Sequence, residues 1–103
     1  MADLQEITER VRGAVGADSG LGKTVKLDLK GEGVVFIDGG TVSNENKPAD
    51  LTITLGLDDL KALARGELDP MQAVMTGAMT LSDMGLAMGL QGKIQALFNR
   101  MSA

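Results

Sequence analysis

The segment from Asp83 to Met101 is apolar around too much of its circumference for a helix with a single dry stripe. At about 100° per residue, Leu86, Leu97, Leu90, Met101, Ile94, Ala87, Phe98, Gln91, Met84, Gln95 and Met88 follow one another around it. They fill an arc of roughly 200°, against the stripe of about 100° or more that a surface helix buries. Gly85, Gly89 and Gly92 lie opposite. A helix of this kind must touch more than one thing. Either it packs on a sheet with one flank and lines a cavity with the other, or the whole arc is core. The glycines weaken it by about 0.5–1 kcal/mol each relative to alanine, so they permit close packing or leave the helix mobile.

The preceding residues share its character. From Gly66 to Gln91 the chain holds five of its seven methionines and only three charges, Glu67, Asp69 and Asp83. Methionine is long, unbranched and polarizable, and fits several apolar shapes in turn. The plainer reading is a methionine-rich core.

Helical and strand periods alternate along the chain. Asp3 and Glu6 have the spacing of a capping box, and Leu4, Ile7, Val11 and Val15 then recur at helical spacing. Val25, Leu27 and Leu29 alternate with Lys26, Asp28 and Lys30, which predicts a strand with one wet face. Gly31-Glu32-Gly33 turns the chain into a second strand over Val34 to Ile37. Asp38-Gly39 is a hairpin signal, and Thr41 to Ser43 is a third strand. After a polar loop over residues 44–48, Leu51, Ile53 and Leu55 alternate in a fourth strand. Leu57 to Arg65 is a short helix stopped by Gly66. Asp69-Pro70-Met71-Gln72 starts another, ending near Gly77. Met79 and Leu81 make a short fifth strand, and Asp83 caps the final helix to Met101. Neither repeat nor linker interrupts residues 1–103, so one domain is expected.

Composition excludes several chemistries. The chain of 103 residues has no cysteine and no histidine, hence no disulfide, no thiolate and no imidazole base or metal ligand. Serines 19, 43, 82 and 102 therefore lack the usual base. Asp58 and Asp59 are adjacent, do not face each other on a helix, and read as first-turn acids. Lys23 follows Gly20-Leu21-Gly22 without the spacing of a phosphate loop, and Gly31-Glu32-Gly33 lacks the third glycine of a dinucleotide fingerprint. Lys93 borders the apolar arc and is expected to reach water. A net charge of −4 and two phenylalanines argue against a nucleic-acid partner. No segment reads as a signal peptide or membrane span, and the end, Arg100-Met101-Ser102-Ala103, is no peroxisomal address. A cytoplasmic, monomeric protein without metal or cofactor is expected, and not an enzyme.

The runs Ala49-Asp50-Leu51-Thr52-Ile53-Thr54, Asp58-Asp59-Leu60, Gly66-Glu67-Leu68-Asp69-Pro70-Met71 and Asp83-Met84-Gly85-Leu86-Ala87-Met88 resemble the sterol carrier protein 2 lipid-binding domain family. The likeness covers about Val25 to Gln91. It implies an α+β fold, a five-stranded sheet covered on one side by helices with an apolar tunnel between them. It also implies non-catalytic binding and intracellular transfer of a fatty acid, fatty acyl-CoA, sterol or phospholipid, with transient membrane contact. Two departures stand out. Gly77-Ala78 replaces the family's Gly-Lys after the methionine-bearing helix. Leu81-Ser82 and Gly89 flank Asp83–Met88 where the family tends to carry Lys-Gly and Lys. Three positions that tend to be basic are thus neutral, which disfavours anionic head groups such as that of acyl-CoA.

The expected lipid-facing residues are Met71, Val74, Met75, Met79 and Leu81, then Met84, Met88 and Gln91, with Phe36 or Ile37 from the sheet. Gln91 is the polar member able to meet a hydroxyl or carboxylate, unless its amide is satisfied by backbone. The segment from Gly89 to Ala103 is expected to move as a gate. A second class of function remains open, an accessory subunit that docks its apolar C-terminal helix on a partner enzyme.

Overall fold

The computed structural model describes residues 4–16 and 20–101. In chain order the elements are α1 (Leu4–Val15), β1 (Val25–Asp28), β2 (Val34–Asp38), β3 (Thr41–Ser43), β4 (Leu51–Leu55), α2 (Leu57–Ala64), α3 (Pro70–Met75), β5 (Met79–Leu81), α4 (Met84–Gly89) and α5 (Gln91–Met101). The cap expected from Asp3 lies outside the described residues.

The period-2 segments form one five-stranded sheet in the order β3-β2-β1-β4-β5. β1 and β4 run parallel at its centre, and every other pairing is antiparallel. Register puts the apolar positions on one face. Val25 lies between Ile37 and Leu51, Leu27 lies between Val35 and Ile53, and Leu55 faces Met79. All of these are buried. Side chains alternate faces along a strand, so Lys26, Asp28, Thr52 and Thr54 stand on the other side, where they are half-buried. The sheet is thus covered by helices on one side only.

Helix α1 buries Ile7, Thr8, Val11, Ala14 and Val15, one stripe at helical spacing. It packs against α5 and β3, and α5 also packs against α2. The hydroxyl of Thr8, the only buried polar side chain described, donates to the Leu4 carbonyl at 2.7 Å. The Asn44 amide donates to that hydroxyl at 2.8 Å and to the Val34 carbonyl at 2.9 Å. It thereby fastens the end of β3 to α1.

The punctuation read from the sequence is present. Gly66 has φ 75°, past the end of α2, and Gly77 has φ 82°, past the end of α3. Asp69 caps α3, its side chain accepting from the Met71 amide with Pro70 in the first turn. Asp83 caps α4, accepting from the Leu86 amide at 3.0 Å.

One expectation is corrected. The helix from Asp83 to Met101 is two helices, with a break at Leu90 (φ −101°, ψ 3°). The break falls between Gly89 and Gly92, where helix propensity is lowest. The Ile94 amide donates to the Leu90 carbonyl at 2.9 Å, so Leu90 closes α4 and its carbonyl accepts the first bond of α5.

Candidate functional site

The broad apolar arc divides into two flanks. Leu97, Leu90, Met101, Ile94, Ala87 and Phe98 are all buried and together span about 100°, an ordinary core stripe. The other flank, Gln91, Met84, Gln95 and Met88, is not buried. It faces a cavity of about 150 Å³ between α3, α4, α5 and the β4–β5 edge of the sheet.

Three elements wall this cavity and the sheet floors it. Ile53, Met79 and Leu81 come from the strands, and Ile53 is the register partner of Leu81. Pro70, Met71 and Val74 come from α3. Met84, Ala87 and Met88 come from α4, and Gln91, Ile94 and Gln95 from α5. None of these side chains is ionisable. The glutamine amides are the only side-chain hydrogen-bonding groups among them, and Gln95 donates from Nε2 to Asn99 Oδ1 at 3.2 Å. The seam where β5 leads into α4 is fastened through Ser82. Its amide donates to the Thr52 carbonyl at 3.0 Å, and its Oγ accepts from the Thr52 amide at 2.8 Å.

The cavity opens to solvent, where Met71, Met84 and Met88 stand exposed. The cavity is therefore a groove, and the expected tunnel is not seen among the described residues. Helices α3 and α4 have six residues each, under two turns, and their methionines project outward at the rim.

Of the residues expected to face lipid, Met71, Val74, Met79, Leu81, Met84, Met88 and Gln91 come together around the groove. Met75 does not line it; at 80% exposure it points into solvent. Phe36 and Ile37 do not line it either. Ile37 is core on the helix-covered face, but its strand β2 is separated from β4 by β1. Phe36 takes the opposite face by strand alternation, with the Lys47 ammonium 5.2 Å from its ring centroid. Ile53, Pro70, Ala87, Ile94 and Gln95 complete the lining beyond the expected set. Ala87, Ile94 and Gln95 are on the apolar arc, and Ile53 is on the apolar side of β4, so periodicity carried a signal for these four.

A separate polar depression involves Lys23, Thr24, Asp38 and Asp50. There the Asp50 carboxylate accepts from the Thr24 amide at 3.0 Å and its hydroxyl at 3.1 Å. These bonds hold its pKa below the usual carboxylate value, with a smaller contribution from Lys23. The Asp50 amide donates back to the Thr24 hydroxyl at 2.8 Å, so the arrangement serves as a clip between the starts of β1 and β4. Among the described residues, no three acidic side chains come together that could hold a metal ion.

Comparison with known proteins adds three findings. The family described as the SCP-2 sterol transfer family matches residues 4–95. Sterol carrier protein 2 of Oryctolagus cuniculus is 43% identical over 54 residues, 52% of this chain but only 10% of that protein's length. Among solved structures, sterol carrier protein 2 like 2 of Aedes aegypti superposes with a TM-score of 0.73 at 27% identity, covering 86% of this chain and 94% of that one. Sterol carrier protein 2 of Yarrowia lipolytica in its apo form gives 0.68 at 20% identity over 91% of each chain, a likeness of fold.

Proposed function

Because the chain belongs to the SCP-2 sterol transfer family, we propose that it binds a long-chain lipid, one to one, in the groove between α3, α4, α5 and the sheet, and carries it between membranes without chemistry. The observation that carries this reading is the lining itself: an opening with apolar walls, no charge and methionines at its rim. No acid, base or nucleophile faces it, which supports transport over catalysis.

The same lining favours one class of lipid. A carboxylate or phosphate placed inside would find no cation, and burying an unpaired charge is costly. A sterol, fatty alcohol or ester brings one weak polar group, which the Gln91 or Gln95 amide can meet. A fatty acid fits if its carboxylate stays at the solvent-facing mouth. Acyl-CoA and phospholipid fit least well, because their phosphates gain nothing from these walls.

The magnitudes permit useful binding. Each buried methylene contributes about 0.8 kcal/mol, so a sixteen-carbon tail gains on the order of 10 kcal/mol before an association cost of about 4–15 kcal/mol. Ligand sites usually run to about 300–1,000 Å³. The groove, at about 150 Å³, must widen to take a full tail, and the break between α4 and α5 at Leu90 is where it can do so.

The test is a titration with a fluorescent fatty acid, followed by displacement with unlabelled fatty alcohol, sterol and acyl-CoA. The chain has no Trp or Tyr, so the protein background is low. Saturable binding at micromolar protein, with neutral lipids displacing better than acyl-CoA, is the expected result. No saturable signal at tens of micromolar protein refutes the carrier; acyl-CoA displacing best refutes the neutral-lipid preference.

A further inference from the structure

The methionine residues divide sharply by exposure. Met88 is 62% exposed, Met84 49% and Met71 45%, and all three stand on the groove rim; Met75, outside the groove, is 80% exposed. Met79 on the groove floor and Met101 in the core are 5% and 2% exposed. The chain has no cysteine, so methionine thioethers are its only oxidisable sulfurs. A peroxide reaching this protein from water meets the rim before any other sulfur that matters to the groove.

We propose that Met71, Met84 and Met88 form an oxidation-sensitive rim, and that converting their thioethers to sulfoxides with hydrogen peroxide closes the groove to lipid. The proposal rests on the groove being the lipid site. In the reaction a sulfur lone pair attacks one peroxide oxygen. An S–O bond forms, the O–O bond breaks, and the departing hydroxide takes up the proton of the transferred oxygen and leaves as water. The sulfur loses two electrons and the peroxide gains them, with no further reactant. Sulfoxidation turns a flexible apolar side chain into a polar one. At the rim this has two consequences. The lipid tail loses apolar contact area, and a strongly hydrated S=O must shed water whenever a tail lies against it. Reversal requires methionine sulfoxide reductases, one for each sulfoxide epimer.

Met75 is the internal control. It is the most exposed of the six described methionines yet does not line the groove. It should oxidise at least as fast as the rim and do nothing to binding. Bound lipid should shield Met71, Met84 and Met88 from peroxide and leave Met75 reactive.

The experiment treats the full chain with graded hydrogen peroxide. Oxygen uptake is mapped by peptide mass spectrometry, fluorescent fatty acid affinity is measured on the same samples, and circular dichroism follows the fold. Unoxidised protein is titrated first, and failure to bind at that stage sinks the carrier reading, not the rim. Given binding, oxidation is expected at Met75 and the three rim residues while Met79 and Met101 stay reduced, with affinity falling about tenfold at unchanged circular dichroism. Met75→Leu should remain as peroxide-sensitive as the parent. The triple variant Met71→Leu/Met84→Leu/Met88→Leu, whatever its own starting affinity, should keep that affinity through peroxide. Three results overturn the proposal. They are undiminished affinity with the rim oxidised, loss of affinity in the triple variant on treatment, and unfolding of the parent in step with rim oxidation.

Discussion

Replacing Gly89 and Gly92 together with alanine should stabilise the protein and slow the movement of lipid. The two residues flank Leu90, one closing α4 and the other standing second in α5. A Cβ built on either meets nothing within 4 Å, and neither needs a left-handed backbone. Each substitution therefore removes unfolded-state entropy with no steric penalty, worth about 0.5–1 kcal/mol apiece. The pair contributes about 1–2 kcal/mol, which in a domain of this size raises Tm by about 4–15 °C. If lipid enters by parting α4 from α5 at Leu90, opening becomes harder by the same amount, and exchange slows by about five- to thirtyfold. Gly13→Ala is the control. It lies in α1, its Cβ also meets nothing, and it should raise stability alone. Urea melts give the stability; stopped-flow transfer of a fluorescent fatty acid from protein to vesicles gives the rate. A double variant that gains stability but exchanges as fast as Gly13→Ala refutes the gate at Leu90. A double variant that loses stability refutes the open space assigned to both glycines.

Met88→Asp should weaken fluorescent fatty acid binding by about tenfold by placing a carboxylate at an uncharged rim. Its urea midpoint should stay near the parent's, because Met88 is 62% exposed. Gly33→Ala should destabilise the fold by about 1–3 kcal/mol in urea, since φ is 130° and the new Cβ would approach Leu4 Cδ2 within 2.5 Å. Asp50, whose folded pKa is lowered first by the Thr24 amide bond, adds stability above its unfolded pKa. That stability is lost as pH falls through the lowered folded value. Asp50→Asn should therefore flatten the stability–pH curve in that acidic window, and an unaltered acid limb in urea melts at stepped pH would show that the clip contributes nothing.

Sequence carried most of the fold because the periods here are clean. Leu51, Ile53 and Leu55 alternate, Ile7 and Val11 recur at four, and Gly66, Asp69, Pro70 and Asp83 mark ends that depend on local backbone chemistry alone. What periodicity did not resolve depended on partners. Whether Phe36 or Ile37 meets a helix is set by register and strand order, because both are apolar and adjacent. Met75 has the same residue type and nearly the same sequence neighbourhood as Met71, yet one lines the groove and the other points into water. With α3 only six residues long, a shift of four residues carries a side chain past the end of the wall. The break at Leu90 was hidden for a related reason. Gly89 and Gly92 announced weakness, but tolerated glycines and a true kink look alike until the packing of both helix halves is known.

The groove itself follows from an imbalance on the helix-covered face. β5 has only three residues and sits at the sheet edge, while the elements over it, α3 and α4, have six residues each. Elements so short cannot bury a wide apolar surface alone, so the tight core lies under α1, α2 and α5, where Val11, Leu60 and Phe98 are almost wholly buried. Over β5 the same hydrophobic demand is left half met. Branched side chains in that position would leave a rigid, dry gap or favour a collapsed register. Methionines with flexible stems stand exposed at the rim instead, and side chains of that kind adapt to more than one apolar shape. Gly89 and Gly92 lower helix propensity on the opposite side, away from the core stripe from Ala87 to Met101. Flexible methionine walls and a weak point in the helix are thus two consequences of one composition, confined to the part of the chain that borders the groove.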